Sequence, residues 1–79
     1  MDELTAKIYL AAAHDLVSRK INSSVETHLA KTLCITVKTI MDRKLKGNWW
    51  FAEVKKAADA FRSDELNEYL TVQFNQTKG

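Results

Sequence analysis

The chain has 79 residues, 46% of them hydrophobic and 28% charged, which suits one small globular domain and excludes a disordered chain. Proline is absent and glycine occurs only at Gly47 and Gly79, so tight hairpins have few places to form and helices are favoured. The net charge is +2, and the single cysteine, Cys34, excludes an internal disulfide and any zinc site built on paired cysteines.

Residues 3–19 read as a first helix. Leu4, Ile8, Ala11, Ala12, Leu16 and Val17 recur at helical spacing among alanine-rich filler. Lys20-Ile21-Asn22-Ser23 breaks it, because Asn and Ser compete for backbone hydrogen bonds. Ser23-Ser24-Val25-Glu26 then has the form of a capping box, with Ser23 as N-cap of a second helix whose inner face holds Val25, Leu29, Ala30 and Leu33. After a break at Cys34-Ile35, Thr36 caps a third helix over 37–46. The pattern sends Val37, Ile40, Met41 and Leu45 inward, and Lys38, Asp42, Arg43 and Lys46 outward. Gly47 stands where a helix end takes a left-handed residue. Asn48 opens a fourth helix over 49–62, with an apolar face of Trp50, Val54, Ala57, Ala58 and Phe61. Trp49 and Trp50 are adjacent, so they cannot both face the core. Ser63 caps a last segment, residues 64–75. Leu66, Tyr69, Leu70 and Phe74 fit a helix there, and Leu70, Val72 and Phe74 fit a short strand equally well. The expected fold is all-α, of four or five helices, in one domain over residues 1–79. Residues 63–79 are expected to form a dimerisation or partner-binding tail.

Charge is distributed unevenly along the chain. Residues 16–56 hold nine Lys or Arg against three acids, while the stretches before and after each carry an excess of two acids. A basic middle between acidic ends is what a localised contact with a polyanion requires, although a solvated surface accounts for the charges alone as well.

The central residues Glu26-Thr-His-Leu-Ala-Lys-Thr-Leu-Cys-Ile-Thr-Val-Lys-Thr-Ile40 resemble the helix-turn-helix of the lambda-repressor and Cro-like family. Ala30 stands at that motif's small position, Leu29, Leu33, Ile35 and Ile40 at its core positions, and Thr36 at the recognition-helix cap. Cys34 occupies the turn position usually held by glycine. With the flanking helices the resemblance covers roughly residues 4–61, and it looks like a small phage-type transcriptional regulator. It implies a repressor-like protein that binds double-stranded DNA in the major groove as a homodimer. Thr36, Val37, Lys38, Thr39 and Asp42 would then face base edges, and Arg43, Lys44, Lys46 and Asn48 would hold phosphates. Lys31, Lys55 and Lys56 are further phosphate candidates. Asp42 has a second reading, as an i, i+4 partner of Lys38. A core this small gains from dimerisation, and Trp49, Leu66, Tyr69, Leu70, Val72 and Phe74 supply apolar surface for a second copy or a partner. The alternative is a protein-interaction module, such as a phage antirepressor that binds a repressor protein and not DNA.

Catalytic signals are lacking. His14 and His28 lie on different helices without evident acidic or cysteine companions, and no glycine-rich phosphate loop is present. Cys34 and His28 do not make a nucleophile and base. The expectation is a non-enzyme with no metal, cofactor or small-molecule substrate. No apolar run approaches the ~18 residues that a membrane span needs, and the first residues lack the features of a signal peptide, so a cytoplasmic protein is expected.

Overall fold

The computed structural model describes residues 1–74, the last of these by its backbone only. Helices α1 (Glu3–Arg19), α2 (Val25–Leu33), α3 (Val37–Lys46), α4 (Phe51–Ala60) and α5 (Asp64–Tyr69) follow one another, and a wide π turn, Leu70–Phe74, continues α5. The described residues hold no strand, so the last segment is helical. Among them, no helix is long and apolar enough to cross a membrane.

Most boundaries follow from side chains that satisfy orphan backbone amides. Asp2 accepts from the Thr5 amide (3.3 Å), Thr36 from Thr39 (3.1 Å) and Ser63 from Leu66 (3.2 Å). Two caps differ from the sequence reading. The N-cap of α2 is Ser24, which accepts from the Thr27 amide at 3.1 Å, so Glu26 is not part of a capping box. The N-cap of α4 is Trp50, not Asn48, and its amide is held by the Glu53 carboxylate at 2.9 Å. A residue with no side-chain acceptor can begin this helix because Glu53 reaches back to it.

Helix ends use the left-handed region at Lys20 (φ 56°), Cys34 (φ 58°) and Gly47 (φ 67°). At Cys34 a side chain carries a strain of about 1 kcal/mol that glycine would avoid. At Gly47 a Cβ would also sit 2.9 Å from Asp2 Oδ1, so the Asp2 side chain would have to shift to admit one.

The core runs through α1, α2, α4 and α5. Leu4, Ile8 and Ala12 meet Leu29, Ala30 and Leu33, then Val54, Ala57 and Ala58, and finally Leu66 and Leu70. Residues 63–70 thus form a wall of the core, and residues 75–79 of the expected tail lie outside the described residues. Lys7 Nζ also ties α1 to Glu65 of α5 at 2.5 Å. Leu66 and Leu70, expected at a dimer surface, are buried within one chain, because α5 folds back over α1 and α4. Trp49, also expected there, is 6% exposed, and its indole N–H donates to the buried Thr5 hydroxyl at 2.8 Å. That hydroxyl in turn donates to Asp2, so the indole is both packed and satisfied. Trp50, expected inside, is the exposed member of the pair at 64%.

Candidate nucleic-acid interface

Helices α2 and α3 are joined by Cys34, Ile35 and Thr36. The left-handed Cys34 reverses the chain, and the Ile35 amide donates back to the Ala30 carbonyl at 3.0 Å. Buried Leu29, Ala30 and Leu33 face buried Ile40, so α3 packs along α2. It makes no comparable packing with α1, α4 or α5, and stands at the edge of the molecule.

The face that α3 turns inward is rotated from the expected one. Only Ile40 and Arg43 are buried on this helix. Val37, Met41 and Leu45, expected inside, are exposed at 42%, 46% and 83%. They form one row at i, i+4 and i+8 along the outer surface. The rotation follows from Arg43, whose guanidinium lies over the body of the protein and meets Glu53 of α4 in a bidentate pair. Arg43 Nε reaches Oε1 at 2.9 Å and Nη2 reaches Oε2 at 3.1 Å. Trp50 covers the guanidinium with its ring centroid 4.9 Å away. The Glu53 hydrogen bonds hold Arg43 above its ordinary pKa. Arg43 is therefore a tertiary clamp and not the phosphate contact that the sequence suggested. Its partner, ten residues along the chain, belongs to the next helix and was not visible as a pair in the sequence.

The other cations of α3 divide. Lys44 Nζ lies 3.8 Å from Glu26 and 5.3 Å from the centre of the Tyr9 ring. Burial, and the Glu26 carboxylate close by, push the Tyr9 phenol up to about 12. Lys46 pairs with Asp42 at 3.2 Å. Asp42 also sits 3.9 Å from Arg43 Nη1, so its i, i+4 partner is Lys46 and not Lys38. Lys38 is exposed and, alone among these four cations, has no ion pair with the described residues. At the amino end, Thr36 and Val37 are exposed, while Thr39 is half-buried. The Thr36 and Thr39 hydroxyls face each other at 2.9 Å. Asn48 is exposed in the link to α4.

Two other groups belong to this surface or its support. Cys34 Sγ is exposed, with Lys56 Nζ at 3.6 Å. Lys55, by contrast, is engaged with Asp59 at 3.2 Å and Asn67 at 3.3 Å. His28 has an acidic companion after all. Its Nε2 is 2.7 Å from Asp15 Oδ2, and Arg19 Nε meets the other oxygen at 2.9 Å. Burial works to raise the Asp15 carboxyl, but the hydrogen bonds from His28 and Arg19 outweigh it and hold the group below its ordinary value. This pairing anchors the start of α2 to the end of α1. Among the described residues no three His, Cys, Asp or Glu side chains are placed to share a metal ion.

Beside the carboxyl end of α3, Met1, Asp2, Met41, Lys44, Leu45 and Gly47 line an open depression of about 670 Å³. Of the expected partner residues, Tyr69 is half-buried against the core and Val72 is exposed. The Phe74 side chain lies outside the described residues.

The fold and this surface define a small all-α domain that projects one peripheral helix. No family model, curated protein or solved structure matches the chain.

Proposed function

We propose that the protein is a non-enzymatic DNA-binding regulator of the helix-turn-helix type, acting in the cytoplasm. The observation that carries this reading is the placement of α3. It packs chiefly on α2, is tied to α4 through Arg43 and Glu53, and offers its amino end, Thr36-Val37-Lys38, to solvent. A recognition helix has to project in this way to enter a major groove about 12 Å wide. Charge supports the same reading, since residues 25–46 carry five Lys or Arg against two acids. A single module reads few base pairs, so a homodimer on a palindromic site is part of the proposal. With Leu66, Leu70 and Trp49 committed to the core, Tyr69, Val72 and Phe74 remain as its proposed contact residues.

Anisotropy titrations with a random-sequence duplex pool, run across a salt series, test it. The reading expects affinity to fall steeply with salt, because bound cations displace counterions from phosphates. Lys38→Ala should weaken binding by about tenfold, as expected for loss of a base or phosphate contact. A folded protein that retains no duplex at low salt would refute the reading.

A second reading, binding to a repressor protein, rests on the depression that Met1, Met41 and Leu45 line. Apolar surface of this kind is usual at protein interfaces. That reading expects Leu45→Glu to abolish complex formation and Lys38→Ala to leave it intact.

A further inference from the structure

The outer face of α3 is short of hydrogen-bond donors. Arg43 is spent on Glu53, Lys44 lies against Glu26 and Tyr9, and Lys46 is held by Asp42. The Thr36 and Thr39 hydroxyls are turned toward each other, and Thr36 also caps the helix. Lys38 remains as the one cation of α3 without an ion pair among the described residues. Beside it, on the same face, Val37 and Met41 are each more than two-fifths exposed.

A helix with such a face, once in a major groove, meets base edges mostly with apolar groups. Among the four base pairs the only apolar group displayed there is the C5 methyl of thymine. A buried donor or acceptor without a partner is costly, whereas a methyl against a methyl is not. The acid on this face, Asp42, is paired with Lys46 at 3.2 Å, which offsets part of its repulsion for a phosphate backbone. Of the five cations of residues 25–46, Lys31 and Lys38 are exposed and have no ion pair among the described residues, so unpaired positive charge remains on α2 and α3, which suits a polyanion as the occupant.

We infer that the protein reads thymine methyls through Val37 and Met41, so that its target is rich in A·T pairs where these residues lie, with Lys38 supplying the hydrogen-bonded base contact. The inference rests on the DNA-binding reading above and names what that site recognises.

The test uses duplexes that the wild-type protein retains from a random-sequence pool at low salt. The retained duplexes are sequenced, and the tightest is remade with deoxyuridine in place of thymidine, which removes only the methyl groups. A·T pairs should be enriched, and the uracil duplex should bind about fourfold more weakly for each thymine contacted, as expected for burial of one methyl-sized group. Val37→Ser and Met41→Ser change exposed positions. With helicity confirmed by circular dichroism, each single variant should lose only the discrimination of the thymine it contacted, and the double variant should bind the thymine and uracil duplexes alike. Equal wild-type affinity for the two duplexes would overturn the readout and leave DNA binding standing. Retention of no duplex at all would overturn both.

Discussion

Helices α3 and α4 are each ten residues long and each carry apolar side chains at helical spacing, yet they use them in opposite ways. Helix α4 lies between α1, α2 and α5, and buries Val54, Ala57 and Ala58 completely. Helix α3 leans chiefly on α2, and leaves Val37, Met41 and Leu45 largely exposed. The difference teaches that an apolar row marks a potential contact face. Whether a monomer fills that face depends on how many neighbours the chain path places around the helix. The two helices are nonetheless linked through Arg43 and Glu53, a charged pair at the position where α3 approaches α4.

Removing one half of that pair should break the link most severely. Glu53→Ala strands a buried guanidinium and uncaps the Trp50 amide, and should lower unfolding free energy by about 3–5 kcal/mol in urea titrations. The double variant Arg43→Met with Glu53→Leu should recover most of the loss, because it leaves no unpaired charge. If the single and double variants were equally unstable, cap and packing terms would outweigh the charge.

The next effect compares two residues five positions apart on α3. Ile40→Ala removes a fully buried side chain from the contact with α2 and should cost about 2–5 kcal/mol. Leu45→Ala, at an 83% exposed site, should stay within about 0.5 kcal/mol. Thermal melts followed at 222 nm would separate them. A large loss for Leu45→Ala would mean that its row is covered by another chain in solution.

The smallest effect lies at the α1–α2 junction and appears only in acid. A carboxyl held low in the folded state binds protons less readily than it does in the unfolded chain. The Asp15 pairing therefore contributes stability above the ordinary carboxyl value of about 4 and loses that contribution as pH falls below it. Asp15→Asn should leave a shallower decline in stability between about pH 4 and pH 2 than the wild type has. An unchanged slope would assign the acid sensitivity to other carboxyls, with Asp2, lowered chiefly by the Thr5 hydroxyl, the first to examine.

By itself the sequence determined the all-α class, the extent of α1 and α3, the Thr36 and Ser63 caps and the left-handed Gly47. These are local matters, decided by spacing within one helix or by a side chain three residues from the amide it satisfies. It also placed Ala30, Leu29, Leu33 and Ile40 in one contact, because an α2–α3 pair joined by three residues has little freedom. The tertiary structure alone decided the roles of the remaining groups. Arg43 looks like a surface cation until Glu53 is brought beside it, Trp49 and Trp50 exchange places because Thr5 offers the first an acceptor, and His28 finds Asp15 across a helix junction. Leu66 and Leu70 look like surplus apolar surface until α5 folds back onto α1 and α4. Burial and pairing are set by what comes close in space, and periodicity within one helix records only which residues share a face.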